Sequence, residues 1–338
     1  MRAWVVHTAG GPSALELNEV PDPEPRDGWV AIDVKAFGLN RAEAITRAGG
    51  SGDAVPFPRI IGIECVGIVT DAGGTDLVAG QRVAAAMGGM GRSHDGSYAE
   101  KTLLPRSNVF PIETDLDWAT FGAIPETFLT AWGCLRTAGA LTGPERSPQE
   151  RATAARILMR PAASALGLAV AQIVTAAGGE VVGVTRSGHK RATLLERGFT
   201  EVLVTSGPVA DDVRRRWPDG ATGAIDTVAS DASLADDRAL LGDGGRICLA
   251  GSLAESYGTA AVGSVPDAFR RNDVGFYSSE TLDAAIETPI LQAMVDRVAD
   301  GTHAAGIDRV VGFGDLVEAH EAMEANAFAG KVVVDLSG

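Results

Sequence analysis

A strand-like run, Ile157-Leu158-Met159, opens directly onto Arg160-Pro161-Ala162-Ala163-Ser164-Ala165-Leu166-Gly167 and a helical stretch. A strand that turns into a helix through small residues lets a backbone approach a pyrophosphate, and the helix N-terminus supplies amide donors to the anion. The small residues fall at Ala162, Ser164 and Gly167, where the dinucleotide-binding pattern carries glycines. Ala165 and Leu166 complete the entry into the helix. Pro161 departs from the pattern, because it fixes φ and removes a donor. Past the next strand-like run, Val181–Thr185, come Arg186, Ser187, Lys190 and Arg191. A site for NAD would place an acid there for the ribose 2′-hydroxyl, whereas cations and a hydroxyl suit a 2′-phosphate. The expected cofactor is therefore NADPH. Taken alone, a plain strand–turn–helix and a solvated basic helix start account for the same residues.

Two further groups could move protons or hold a polar ligand. The glycine-rich stretch Met87–Gly96 contains the adjacent pair His94 and Asp95, with Tyr98 close behind. These residues read either as a proton relay or as a mobile solvated loop. Asn40 begins a short helical insert, where Asn serves as an N-cap, and Glu43 stands at capping-box spacing. Cys65, Cys134 and Cys248 never form a CxxC pair, so neither a disulfide framework nor structural zinc is expected. That usage fits a reducing cytoplasm. His7, His303 and His320 offer no metal or triad spacing.

These residues need a scaffold of about two domains, which 338 residues provide. The first third reads as all-β: Ala3–His7, Val30–Phe37, Cys65–Thr70, Arg82–Ala86 and Glu100–Leu104, broken by Pro and Gly clusters. One helical insert, Asn40–Ala48, interrupts them. From Ile157 onward strands and helices alternate, which argues for right-handed βαβ units and a parallel sheet. A helix beginning after Pro289, a second over Phe313–Asn326 and a strand over Lys331–Leu336 close the chain. The formal charge of −15 argues against nucleic acid or anionic membrane as partners. No apolar run approaches the ~20 residues of a membrane span, and the N-terminus lacks the features of a signal peptide.

An ordered set of short motifs then points to a family. Gly38-Leu39-Asn40-Arg41-Ala42-Glu43 is followed by Gly62-Ile63-Glu64-Cys65-Val66-Gly67 and Gly80-Gln81-Arg82-Val83. Next come Gly96-Ser97-Tyr98-Ala99-Glu100 and Ile124-Pro125-Glu126-Thr127, with Thr130 and Trp132 just beyond. The succession resembles the zinc-independent quinone oxidoreductase branch of the medium-chain dehydrogenase/reductase superfamily. The resemblance implies an α/β chain with a GroES-like β domain over 1–123 and 284–338. A doubly wound Rossmann domain over 124–283 is inserted in it, with the nicotinamide in the cleft between the two.

It also implies roles for individual residues. Asn40 would hold substrate or ribose, and Thr127 or Thr130 would contact the nicotinamide half. The turn of Leu249, Gly251 and Ser252, and the segment with Phe276 and Ser278, would pass the ring. Lys331 lies in the family's last strand and is expected at the cofactor. His94 and Tyr98 belong to the region laid over the substrate. A homodimer would form through the sheet edge at Val274–Ser279. Many relatives carry Tyr where this chain has Arg41, so that proton donor is missing. Zinc-dependent relatives need a Cys near Leu39–Asn40 and a His at Ile63; neither is present, and catalytic zinc needs three protein ligands. The expected activity is NADPH-dependent, zinc-independent hydride delivery to a small molecule, a quinone or an α,β-unsaturated carbonyl. The drifted turn at Pro161 motivates an alternative, the same scaffold reused as a non-redox cyclase or isomerase.

Overall fold

The computed structural model describes residues 1–251 and 273–337. Along the chain run β1 (Arg2–Val6), β2 (Leu15–Glu19), β3 (Trp29–Gly38), α1 (Arg41–Arg47), β4 (Arg59–Ile60), β5 (Glu64–Asp71) and β6 (Arg82–Ala86). Then come β7 (Lys101–Pro105), β8 (Val109–Pro111), α2 (Trp118–Gly122) and α3 (Pro125–Thr137). The alternating part follows: β9 (Arg156–Arg160), α4 (Ala165–Ala176), β10 (Glu180–Thr185), α5 (Arg191–Glu196), β11 (Glu201–Val204), α6 (Ala210–Arg216), β12 (Ala221–Asp226), α7 (Asp231–Leu240) and β13 (Leu241–Leu249). After β14 (Val274–Phe276) the described chain ends with α8 (Ala284–Ala299), β15 (Ile307–Gly312), α9 (Leu316–Glu324) and β16 (Lys331–Asp335).

Two compact units result. The first is Met1–Leu129 with Ser279–Gly301 and Ile307–Gly338; the second is Thr130–Ser278 with Thr302–Gly306. They divide inside α3 and at Ser279, whereas the bounds expected from sequence lay at 123/124 and 283/284.

In the first unit β3 is the hub. Its alternation buries Val30, Ile32 and Val34 while Asp33 and Lys35 stay partly exposed, the period-two pattern of a half-covered strand. The larger sheet runs β15-β16-β3-β5-β6-β8, with β7 also on β3, and a small sheet runs β2-β1-β4. The C-terminal strand β16 pairs antiparallel with the end of β3, Val333 opposite Gly38. This brings position 331 beside the start of α1. Trp4, Phe37, Leu104, Phe313 and Val334 belong to one apolar core.

The second unit is a six-stranded sheet in the order β11-β10-β9-β12-β13-β14, every neighbouring pair parallel. The order reverses between β9 and β12, which makes their carboxyl ends the ligand crevice of such a sheet. Strand β9 and helix α4 bury almost continuous apolar runs, as a sheet covered on both faces requires. Among the described residues β14 lies at one edge of this sheet, within the segment expected to supply an edge strand.

The helix expected after Pro289 begins earlier, at Ala284. Asp283 caps it by accepting the Ala285 N–H at 2.9 Å, and Pro289 sits inside it. A proline this near an N-terminus removes a single early backbone bond, so the helix continues through it. Strands β2 and β15 were not expected. Both are edge strands whose residues stay mostly exposed, so neither carries a clean apolar alternation.

Candidate active site

In the second unit, most of the residues expected to hold a cofactor fall just past the carboxyl ends of parallel strands. Arg160 ends β9, and Pro161, joined to it by a cis peptide bond, opens the turn. The Ala162 N–H is spent on Val184 O at 2.9 Å, which ties the turn to β10. Ser164 caps α4: its Oγ accepts the Gly167 N–H at 3.0 Å. The first intrahelical bond is Leu168 N–H to Ser164 O at 3.1 Å. The Ala165 and Leu166 amides precede it, so they remain donors at a helix N-terminus. Gly167 has to be bare, since a Cβ there would lie 2.5 Å from Ala162 O.

Arg186 follows the end of β10, is exposed, and has no hydrogen-bond or ion-pair partner among the described residues. Arg191 is also exposed, its Nε donating to Val202 O at 3.4 Å. Ser187 is half-buried and its N–H bonds the Thr185 hydroxyl at 3.1 Å, while Lys190 is buried. Leu249 is buried at the end of β13, and Gly251 follows with φ +149°. Phe276 ends β14 with half its surface exposed, and Ser278 comes two residues later. Ser252 lies outside the described residues.

Arg160 was not singled out from sequence. It is buried, with Nη2 2.9 Å from Asp236 and 2.6 Å from Asp237. Burial pushes the Asp237 carboxyl well above the usual range despite that neighbour. Asp236 also accepts the Val209 and Ala210 amides at the start of α6.

The first unit contains a continuous buried polar network around Asn40. Glu43, in the first turn of α1, accepts the Asn40 N–H at 2.7 Å, while the Asn40 side chain makes no cap bond of its own; Glu43 also accepts the Ile63 N–H at 2.9 Å. The Asn40 carboxamide turns to charged neighbours: Oδ1 accepts from Lys331 Nζ at 2.7 Å, and Nδ2 donates to Glu64 Oε1 at 2.9 Å. Lys331 Nζ and Glu64 Oε1 are 2.5 Å apart. The other Glu64 oxygen accepts the Glu126 N–H at 3.0 Å, at the start of α3. Thr127 is buried in that same turn, and Thr130 follows further along the helix. Lys331, expected at the cofactor, is thus a buried partner of Asn40 and Glu64.

Tyr98 is fully buried, so it does not sit in a mobile loop. Its hydroxyl donates to Glu43 at 2.7 Å and contacts His320 Nε2 at 2.9 Å, while Arg47 Nη1 lies 2.6 Å from His320 Nδ1. Arg47 in turn pairs with Glu324. Arginine can only donate, so His320 accepts at Nδ1 and carries its proton on Nε2, which donates to the Tyr98 oxygen. Burial raises Glu43 to about 6, raises Tyr98 strongly, and together with Arg47 lowers His320 to about 3.

His94 and Asp95 are not joined. Asp95 accepts from Arg59 at 2.9 Å and from the Ile60 N–H at 3.1 Å. His94 meets Ser93 Oγ at 3.2 Å and packs edge-on to Trp29. Both line a cavity of about 580 Å³ with Trp29, Pro21, Pro58 and Leu103. Arg41 donates to Met323 O and Asn326, both at 2.8 Å. The pairs of His320 with Arg47 and of Glu64 with Lys331 were missed; Glu64 stood out only as part of the Gly62–Gly67 motif.

Two family models match this chain: the alcohol dehydrogenase GroES-like domain over residues 26–114, and the zinc-binding dehydrogenase over residues 197–334. The chain belongs to the medium-chain dehydrogenase/reductase superfamily and is quinone oxidoreductase-like. Within that superfamily, human quinone oxidoreductase is 26% identical over 256 residues, 75% of this chain and 73% of its own. The mouse synaptic vesicle membrane protein VAT-1 homolog-like is 28% identical over 231 residues, 68% of this chain and 52% of its own. The chain therefore spans about half the length of that relative. The solved Escherichia coli quinone oxidoreductase complexed with NADPH has a TM-score of 0.82 at 19% identity, covering 99% of this chain and 100% of that one.

Proposed function

We propose that this protein is an NADPH-dependent, zinc-independent oxidoreductase that delivers hydride to a quinone or an α,β-unsaturated carbonyl. The observation that carries the cofactor reading is Arg186. It stands exposed and unpaired among the described residues at the end of β10, and no acid occurs between Val181 and Arg191. The Ala165 and Leu166 amides fit a pyrophosphate, and bare Gly167 gives the close helix–strand approach that the bound group needs. The turn's departure from glycine, the motive for a non-redox alternative, leaves those donors in place.

NADPH, when bound, supplies the hydride. The chain's own part is to hold the cofactor, keep Asn40 in a fixed pose at the reacting end, and exclude water. A conjugated acceptor spreads its developing negative charge, so a few polar groups suffice without a metal. Zinc independence is supported by the residues at the expected ligand positions. Ile63 cannot ligate, Asn40 and Glu64 are engaged with Lys331, and no group of three or more His, Cys, Asp or Glu that could hold a metal ion occurs among the described residues. The names of quinone oxidoreductase relatives, one of them complexed with NADPH, support the substrate class and cofactor. A homodimer through the edge at β14 belongs to the same proposal.

Arg186→Ala is the test. Calorimetric titration should show NADPH binding weakened tenfold or more, about 1.4 kcal/mol, with NADH almost unaltered. Equal losses for both cofactors would remove Arg186 from the 2′-phosphate.

A further inference from the structure

We propose that Glu64 and Lys331 are positioning residues which lock the Asn40 carboxamide in a single orientation, so that it meets a ligand as a hydrogen-bond acceptor. The inference rests on the reading that Asn40 serves the reacting end of the site. Three parts of the chain converge on this carboxamide: the cap of α1, the first residue of β5 and the first residue of β16. Lys331 is 1% exposed and Glu64 is wholly buried. A buried ammonium can only donate and a carboxylate only accept. Flipping the amide would set its NH2 against Lys331 and its oxygen against Glu64. The orientation is therefore imposed by charge, where a neutral environment would allow both.

The space for this arrangement is also built in. A Cβ on Gly38 would lie 2.1 Å from Lys331 Cε and 2.6 Å from Glu64 Oε1, so the lysine stem crosses a bare backbone. Stability alone does not require the pair, because well-packed apolar residues often hold a fold as well as a buried ion pair does. Nδ2 already has three acceptors, Glu64 Oε1 at 2.9 Å, Gly38 O at 3.3 Å and Glu43 Oε1 at 3.4 Å. Oδ1 has one donor, Lys331, and a carbonyl oxygen can take a second. What remains for a ligand is that second lone pair, and Asn40 is partly exposed. Its partner is then an O–H or N–H group of cofactor or substrate. A carbonyl oxygen that gains negative charge finds no donor in it.

The test is a mutant cycle on the full chain, read as kcat and KM for NADPH with a quinone, alongside melting temperature. Lys331→Met with Glu64→Gln removes both charges together and leaves no unpaired ion in the interior. That pair should lower kcat/KM tenfold or more. Asn40→Ala should lower it comparably, and the triple variant should be no worse than the more impaired of the two. Glu64→Gln alone, which keeps size and shape, should move kcat in the same direction but with a lower melting temperature than the paired variant, because it leaves the Lys331 ammonium buried without its counter-ion. Losses that multiply in the triple variant would overturn the inference. So would native kinetics in the paired variant while Asn40→Ala is impaired, and neither result touches the proposed function. Native kinetics in Asn40→Ala would overturn both this inference and Asn40's place at the reacting end. A wild-type protein without hydride transfer would overturn the proposed function and this inference with it.

Discussion

Arg47, His320, Tyr98 and Glu43 pass hydrogen-bond donation in one direction, and the two titrating members lean opposite ways. His320 is held neutral by burial and Arg47, down at about 3, whereas an unfolded histidine titrates near 6.5. The unfolded chain therefore binds more protons between those values, and stability from His320 is lost as pH falls through that window. Burial raises Glu43 to about 6, so the folded chain binds more protons there from about 4.5 to 6, and stability from Glu43 falls as pH rises. The two slopes oppose each other in the shared window. His320→Gln, which can still accept from Arg47 and donate to Tyr98, should leave a denaturation midpoint that declines less than wild type from pH 7 to pH 4. Parallel curves would remove His320 from the acid response. No sequence pattern exposed this chain, because His320 sits 273 residues from Arg47 and 222 from Tyr98. Asn40 and Glu43 were legible because their pairing is local.

Among the elements, α4 and the turn before it were the most legible, and the reason is physical. A fully covered helix and strand leave long apolar runs, and a turn that must let Gly167 pass Ala162 leaves small residues. Edge strands β2 and β15 carry no such mark, since exposed residues are free to vary. The N-terminus of α4 gives a direct check. Ser164→Ala removes the acceptor of the Gly167 N–H and should lower stability by about 1 kcal/mol, within the usual range for a lost cap. Denaturant unfolding of the protein without cofactor would measure it. An unchanged midpoint would mean that another group satisfies that amide.

At the scale of the molecule, a strongly acidic chain sets exposed arginines beyond one strand of a parallel sheet and a buried polar network beside Asn40. Overall charge speaks against polyanions, while the local cations speak for one phosphate; the two expectations are compatible because screened charges act over about 10 Å or less at ordinary salt. The parallel sheet followed from strand–helix alternation. The way β16 folds back on β3 to deliver Lys331 did not, because its pairing spans nearly the whole chain. Hydride transfer from NADPH is what the proposed function requires of the wild-type protein. Catalytic amounts of the wild-type protein, mixed with NADPH and a quinone or enone, should consume NADPH over many turnovers. With NADH the rate at limiting cofactor should be at least tenfold lower. No consumption with any such acceptor, together with no heat of binding at millimolar NADPH, would contradict it.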